Sequence, residues 1–162
     1  PENRNIRYQY FYGCVSLERC IIGNGCDTIS KQAFYNCGAL KEISIPDTVT
    51  TIESGAFGGT GISEFAYPPH VTAINGLGDM PRLTRVEIGE NAVSVTGMGN
   101  CPLLETLIIR ATTPPTTDYW TLLNAPRIPN IYVPDTAVSA YKTASGWSKW
   151  AAYIKPLSEY NG

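Results

Sequence analysis

Charged residues are scarce in this chain. Lysine, arginine, aspartate and glutamate make up only 16% of its 162 residues, compared with about 25% in an average globular protein, which excludes a disordered segment kept soluble by charge. The 12 basic residues are outnumbered by 14 acidic ones, so the chain lacks the positive surplus that neutralises phosphates, and we expect no nucleic-acid partner. No apolar run approaches the roughly 18 residues of a membrane span, so we expect none.

Residue types that carry catalysis or bind metals are also few. The only histidine, His70, follows two prolines in a predicted turn, with no positioned nucleophile nearby. Cys14, Cys20 and Cys26 are separated by five residues each time, which is too wide for the paired cysteines of a zinc site. No Gly-Lys-Ser or Gly-Lys-Thr triplet marks a phosphate-binding loop. We therefore expect no enzyme activity, no metal and no cofactor.

What the chain does contain is an internal repeat. Alternating apolar positions in the pattern Leu-x-x-apolar-x-apolar predict a short strand with one face inward. Pro46 and Pro68 end two of these strands, because proline cannot donate to a strand ladder. The pattern occurs five times, with starts spaced by 23, 22, 21 and 21 residues, at Leu17, Leu40, Ile62, Leu83 and Leu104.

Each copy is interpreted as one turn of a solenoid, which we call a coil. A second apolar pair follows the first four strands, for example Val49 and Ile52, and the fourth copy offers either Ala92 or Val93 before Val95. One coil cannot bury its apolar face alone, so stability requires stacking. The sequence predicts an α/β solenoid, mostly β, of about five coils of 21–23 residues with a parallel sheet.

The repeat places all five cysteines at inward positions, where free cysteine behaves as a small hydrophobe. Cys14, Cys37 and Cys101 share one repeat position, and Cys20 and Cys26 fall at two others. Five cysteines cannot all pair within one chain, so we expect free buried thiols. The alternative is a Cys14–Cys37 disulfide formed under oxidation, since strands about 4.8 Å apart lie within the Cα range of such a bond.

Outward-facing strand residues are expected to form columns across the coils. Opposite charges in adjacent coils, such as Arg19 beside Glu42 and Glu64 beside Arg85, set the register of a solvated sheet more often than they bind a partner. A parallel sheet is nevertheless the extended surface that solenoids present to partners. A further column is predicted to face outward at Ile21, Ser44, Ala66, Glu87 and Ile108. The candidate partner-binding surface, including two tyrosines expected to stack, comprises Arg19, Glu42, Glu64, Arg85, Lys41, Tyr12 and Tyr35.

The segment from Phe34 to Phe57, with Ile43-Ser-Ile45-Pro46 at its centre, resembles the BspA-like leucine-rich repeat family. The resemblance extends from Phe11 to about Ile109. It implies a right-handed stack of leucine-rich-repeat type and a bacterial surface or secreted protein of Bacteroides type. It also implies a non-catalytic domain that binds a protein or glycan in adhesion, or alternatively a passive spacer or assembly module. The asparagine ladder of better-known leucine-rich repeats is absent from its usual position.

Residues 111–162 do not repeat and resemble the C-terminal segment that often closes such proteins. We therefore divide the chain into a solenoid over 1–110, incomplete at its N-terminal end, and a cap over 111–162 packed on the last coil. Either residues 1–10 cover the open end or further chain precedes Pro1. The sequence contains no export signal, so an extracellular location implies that the signal is not part of this sequence. We expect a monomer.

The cap is predicted to contain a strand followed by a helix. Residues 131–133 read as the strand, and residues 136–150 fit a helix with Asp135 or Thr136 as its N-cap. A solenoid end exposes an open core. We expect Trp147, Trp150 and Tyr153 to close it.

Overall fold

The computed structural model describes residues 5–118, 121–122 and 124–161, which wind into a mostly-β solenoid of about six turns. All its paired strands are parallel, and they lie on two sides of the coils. The strands on one side, which we call the first sheet, form two ladders: β2 (Arg19–Ile21) with β4 (Glu42–Ser44), and β6 (Glu64–Ala66), β8 (Arg85–Ile88), β10 (Thr106–Ile109), β12 (Asn130–Val133) and β13 (Ile154–Pro156). Those on the other side, the second sheet, also form two: β1 (Asn5–Ile6), β3 (Thr28–Ile29) and β5 (Thr51–Ile52), and β7 (Ala73–Ile74), β9 (Ser94–Val95) and β11 (Thr116–Thr117).

The predicted repeat is confirmed by the strand register. Val86 is opposite Phe65 on one side and opposite Leu107 on the other, so equivalent repeat positions are Cα partners. The first residues of the motif at Leu40, Ile62 and Leu83 are buried in one continuous core. Inward residues alternate with outward ones because successive side chains of a strand point to opposite faces.

The second apolar pair of each coil forms the second sheet, which sequence reasoning did not identify as a sheet. Ile29, Ile52, Ile74 and Val95 are buried there and pack against the same core. In the fourth copy the buried residue before the strand is Ala92, whereas Val93 is exposed.

The number of coils was predicted as about five, and the structure corrects this to about six. Asn5 and Ile6 form β1, and Ile6 is the register partner of Ile29 in β3. This partial coil was missed because residues 5–10 precede the first Leu-x-x-apolar motif. The predicted lid over residues 1–10 is thus partly a strand, and residues 1–4 lie outside the described residues.

The prediction that all five cysteines are core residues is wrong for two of them. Cys26, Cys37 and Cys101 are buried, but Cys14 is exposed and Cys20 is half-buried. The difference arises because the turn with Cys37 has neighbouring coils on both sides, whereas the turn with Cys14 is covered on one side only. All five thiols are free in the structure.

The C-terminal segment extends both sheets. The predicted strand at 131–133 is confirmed as β12, which pairs with β10. An unpredicted strand, β13, pairs with β12 beyond it, and β11 adds to the second sheet beside β9. The division of the chain at residue 110 stays a prediction.

The single helix predicted over 136–150 is wrong. The structure has a 3-10 turn at Asp135–Ala137, a short α1 at Val138–Thr143 and a 3-10 helix at Ser148–Tyr153. Gly146, with φ of +83°, breaks the helical path between them. The predicted N-cap is also wrong, because Asp135 accepts a hydrogen bond from the Ser158 backbone instead.

Two of the three predicted aromatic plugs close the core at this end. Trp147 and Trp150 are buried, and the Trp147 indole N–H donates to the Pro115 carbonyl at 2.6 Å. Tyr153 is 40% exposed, so its predicted role is wrong. Tyr141 is the third ring of the plug, because it is buried and packs edge-on against Trp147.

Candidate functional site

The outward face of the first sheet begins at β2 and β4 with an exposed ion pair. Arg19 and Glu42 are register partners, and the Arg19 Nε atom lies 3.4 Å from the Glu42 carboxylate. Their side chains are 67% and 73% exposed, so solvent screens the pair and its contribution to stability is small. Lys41 and Ile21 are exposed beside them. This part of the face is open to solvent.

From β6 onward the face carries a network of charges. Arg85 lies 3.7 Å from Glu64 and 2.5 Å from Glu87, and Glu87 also accepts a hydrogen bond of 2.6 Å from Arg110. Arg85 and Glu87 are each only about a quarter exposed. The predicted contact between Glu64 and Arg85 is confirmed. It is one link in a chain of four side chains that runs from β6 through β8 to Arg110, the residue after β10.

The electrostatics of this network favour its ionised form. Burial acts to raise the pKa of Glu87, but the hydrogen bonds from Arg110 and Arg85 outweigh it and lower that pKa. Burial acts to lower the pKa of Arg85, and the hydrogen bonds with Tyr160 and Glu87 outweigh it and raise that pKa. Both groups are therefore charged and paired with each other at neutral pH.

The C-terminal end of the chain covers part of this face. Tyr160 accepts a hydrogen bond of 3.0 Å from Arg85 on β8 and packs against Tyr132 on β12. Because β10 lies between these two strands, Tyr160 crosses over it. Ile108 on β10 was predicted to face outward, and it does, but it is only 1% exposed. The prediction that this column is solvated is wrong at Ile108, since its coil is covered by the C-terminal end.

The two predicted tyrosines stack, and they lie away from the strands. Tyr12 and Tyr35 have ring centroids 5.7 Å apart and an interplanar angle of 14°. A side-chain Cβ at Gly58 in the next coil would lie 2.5 Å from the Tyr35 ring, so the ring covers that glycine. We call this third side of the solenoid, which follows each second-sheet strand, the turn side. Here the rings join successive coils.

The structure therefore divides the seven predicted surface residues among three places. Arg19, Lys41 and Glu42 lie together on the open part of the first sheet. Glu64 and Arg85 belong to the charge network, and the two tyrosines lie on the turn side. Sequence reasoning missed Arg110 and Tyr160 as parts of this face. Arg110 could have been identified from the outward spacing of Thr106, Ile108 and Arg110. Tyr160 could not, because it contacts Arg85 from 75 positions away and no local pattern relates the two.

The thiols show no sign of activation. Burial raises the pKa of Cys20 and of Cys37, and it raises the pKa of Cys101 to about 11. Cys37 and Cys101 donate to the backbone carbonyls of Phe11 and Leu77 at 2.9 and 3.0 Å. Thiols held in the neutral form are weak nucleophiles and weak metal ligands.

Across the part of the chain that the structure describes, no group of three or more His, Cys, Asp and Glu side chains is placed to hold a metal ion. Within the same ranges, no helix has the length and apolar composition needed to cross a bilayer. The largest cavity described, about 700 Å³, lies at the N-terminal end of the core. Ile6, Phe11, Cys20 and Ile22 line it, together with the turn at 23–25.

Comparison with known sequences identifies the repeat. Residues 2–77 match the BspA type leucine rich repeat region in six copies. The match begins upstream of the predicted start at Phe11, in agreement with the additional coil at β1, and ends at Leu77. No curated protein has a significant sequence match to the chain.

Two solved structures resemble the chain. One is a leucine-rich repeat protein from Bacteroides ovatus ATCC 8483, with 22% identity and a TM-score of 0.49 over 83% of this chain and 44% of that one. The other is a leucine rich cell surface protein from Faecalibacterium prausnitzii A2-165, with 14% identity and a TM-score of 0.48 over 95% of this chain and 62% of that one. The chain therefore spans less than two thirds of the length of either protein.

Proposed function

Residues 2–77 of this chain are BspA-type leucine-rich repeats, and from that premise we propose that it is a non-catalytic binding domain of a cell-surface or secreted bacterial protein. Its partner is a protein or a glycan on another surface, and the contact is adhesive. Repeats of this type are typical of surface proteins, which supports the location. Extended parallel sheets of solenoids commonly serve as binding surfaces, which supports the role.

The observation that carries this proposal is the open outward face of β2 and β4. This face carries three charged side chains, Arg19, Lys41 and Glu42, and the strand register places Arg19 opposite Glu42. Ile21, on the same face, is 67% exposed. An exposed apolar side chain ringed by charged groups has the composition of a protein-binding patch, with an apolar centre and a polar rim. The other half of the sheet is less available, since Tyr160 covers it.

Glycan is the second class of partner. Carbohydrate rings pack on exposed aromatic faces, and Tyr8, Tyr10 and Tyr12 near the N-terminal end are each about half exposed or more. Tyr35 is excluded from such a role, because its ring packs against Tyr12 and over Gly58. The glycan site would therefore be confined to the first coils.

The alternative is a passive spacer, and one observation favours it. The charges on the outer face pair with one another across coils, Arg19 with Glu42 and Arg85 with Glu64. Such pairs hold the register of a stack without requiring a partner. A spacer tolerates charge reversal on this face, whereas a binding surface does not.

The test is to screen the purified chain against immobilised extracellular-matrix proteins, mucin and a glycan array. Any ligand is then titrated against Arg19→Glu and Lys41→Glu, with Arg82→Glu as the control. Arg82 is exposed on the turn before β8, away from the open face. The proposal predicts saturable binding that weakens at least tenfold in the first two variants and is unchanged in the third. No saturable binding supports the spacer, and equal weakening in all three variants indicates non-specific attraction of charge.

A further inference from the structure

Both sheets of the solenoid are interrupted at the same place. In the first sheet, β2 and β4 form one ladder and the strands from β6 to β13 form another. In the second sheet, β1, β3 and β5 form one ladder and β7, β9 and β11 form another. Both breaks separate the coil that carries β4 and β5 from the coil that carries β6 and β7. We call this boundary the seam.

The seam lacks backbone hydrogen bonds that the neighbouring coils make. In the second sheet, Glu53 N donates to Ile29 O at 2.9 Å and Thr96 N donates to Ile74 O at 2.8 Å. The equivalent donor between them is Asn75 N, and it makes no described bond to Ile52 O. Among the described residues, no backbone hydrogen bond joins residues 41–53 of one coil to the equivalent residues 63–75 of the next.

The same comparison holds in the first sheet. Lys41 N donates to Glu18 O at 3.0 Å on one side of the seam, and Thr84 N donates to Ser63 O at 2.7 Å on the other. Between them, Lys41 O receives no described bond from the strand that contains Glu64. Each missing bond weakens the contact between the two coils.

Both faces of the seam open into cavities. The first-sheet cavity, about 400 Å³, is lined by Ile43 and Ile45 on one wall and by Phe65 and Tyr67 on the other. The second-sheet cavity, about 470 Å³, has Ile52 and Asn75 among its lining residues. Ile43 and Ile45 are half-buried, although their equivalents in the next coils are buried. Apolar surface that would be buried between regular coils is therefore exposed here.

Two aromatic side chains account for the separation. Phe65 and Tyr67 occupy inward positions that hold aliphatic residues in the next coil, Val86 and Ile88. The Phe65 ring contacts Phe57 and Tyr67 at centroid distances of 5.0 Å each. These rings are larger than the side chains at the same positions in the next coil, and Phe65 reaches Phe57 in the preceding coil, so we infer that their size keeps β6 from pairing with β4.

The turn side remains joined at the seam. Phe57 N donates to Gly76 O at 3.2 Å and Gly59 N donates to Asp79 O at 2.8 Å. A Cβ at Gly61 would lie 2.7 Å from the Gly38 carbonyl oxygen, so the chain approaches the preceding coil closely just before β6. The two halves are thus joined along the turn side and by the contact between the Phe57 and Phe65 rings in the core, while neither strand-bearing side has a backbone ladder across the seam.

We propose that the seam is a hinge that divides the solenoid into two units, residues 5–61 and residues 62–161, which open and unfold separately. Stability in a stacked array depends on the interface between neighbouring repeats, and a weak interface uncouples the repeats on its two sides. The second unit is closed at its far end by Trp147, Trp150 and Tyr141. The cavity beside Phe11 leaves part of the first unit's core unfilled, so we expect this unit to unfold first.

The distribution of chromophores makes this inference testable in the intact chain. All three tryptophans, at positions 120, 147 and 150, fall in the sequence range of the second unit, and Trp147 and Trp150 are buried there. Urea unfolding followed by tryptophan emission reports on that unit, while far-UV circular dichroism reports on both. We expect part of the dichroism to be lost at a lower urea concentration than the change in tryptophan emission. Hydrogen exchange with mass spectrometry should show residues 5–61 losing protection first and as a block.

A matched pair of variants tests the boundary itself. Val49 and Val95 are both completely buried, one on each side of the seam. Val49→Ala should lower the midpoint of the first transition by roughly 1 M urea and leave the tryptophan transition in place, and Val95→Ala should lower the tryptophan midpoint. Superimposable transitions in the unsubstituted chain, or a tryptophan midpoint that falls as far in Val49→Ala as in Val95→Ala, would overturn the proposal.

Discussion

The side-chain amide of Asn100 donates a hydrogen bond of 2.7 Å to the carboxylate of Asp79 in the preceding coil. Both residues have a positive φ, near +60°, and Asn124 continues the series by donating to Asn100 at 2.8 Å. Gly59, with φ of +71°, occupies the same repeat position one coil earlier. The turn side thus contains a ladder of left-handed residues, at a position different from the asparagine ladder of better-known leucine-rich repeats.

Substitution of Asn100 should separate the two contributions of this ladder. Asn100→Ala loses the amide hydrogen bonds and places a β-carbon in the left-handed region, so we expect a loss of about 1–2 kcal/mol in the free energy of unfolding. Asn100→Gly loses the hydrogen bonds but adopts positive φ without strain, and should lose about half as much. Urea unfolding measures both, and an alanine variant as stable as the glycine variant would contradict the argument from φ.

The interior contact between Tyr67 and Asn75 leads to a second prediction. The Tyr67 hydroxyl donates to the Asn75 backbone carbonyl, and burial raises the phenol pKa well above its usual value. Tyr67→Phe leaves that carbonyl without its partner, so we expect a loss of about 1–2 kcal/mol in urea unfolding. Tyr153→Phe, at an exposed ring, is the control and should change little. Equal stability of the Tyr67 variant and the unsubstituted chain would show that the Asn75 carbonyl does not depend on this hydrogen bond.

The charge network should make the free energy of unfolding depend on pH. The pKa of Glu87 is lower in the folded state than in the unfolded state. Its carboxylate therefore stabilises the folded chain above the unfolded pKa of about 4.3, and this stabilisation is lost as the pH falls through the folded pKa. Glu87→Gln should therefore cost about 1 kcal/mol at pH 7 and less at pH 3. Unfolding is measured at both pH values with Glu90→Gln, at an exposed carboxylate, as control. A cost that is the same at both pH values would contradict the assignment.

The reactivity of the thiols should follow their burial. Cys14 is exposed, whereas Cys37 and Cys101 are buried and have raised pKa values. With an aromatic disulfide reagent at pH 8 we expect one fast-reacting thiol in the folded chain, absent from Cys14→Ser, and five reactive thiols in urea. Fewer than five in urea without reductant would reveal a disulfide, and a fast phase that persists in Cys14→Ser would place the exposed thiol elsewhere.

The periodic part of the fold was predictable because burial repeats with the sequence. Leu40, Ile62 and Leu83 recur at nearly constant spacing, so one pattern fixes the environment of all three. The seam was not predictable by the same argument, because Phe65 and Tyr67 satisfy the apolar pattern as well as Val86 and Ile88 do. Ring size, which the pattern ignores, separates the coils.

The candidate surface was predicted only in part for a related reason. The pairing of Arg19 with Glu42 follows from register, which the repeat specifies. The covering of Ile108 by Tyr160 does not, because the C-terminal residues are outside the repeat and no spacing relates them to β10. The break in the helix expected over residues 136–150 was partly predictable, because glycine is unfavourable inside a helix and Gly146 falls within that range.

Equivalent strands stack in register on both sides of the seam, and nuclear Overhauser contacts between backbone protons can detect this stacking strand by strand. We expect interstrand contacts between Cys20 and Ile43 and between Val86 and both Phe65 and Leu107. We expect weak or no contact between the strand of Ile43 and the strand of Phe65. Regular contacts there would contradict the seam, and their absence between Phe65 and Val86 would contradict the stack.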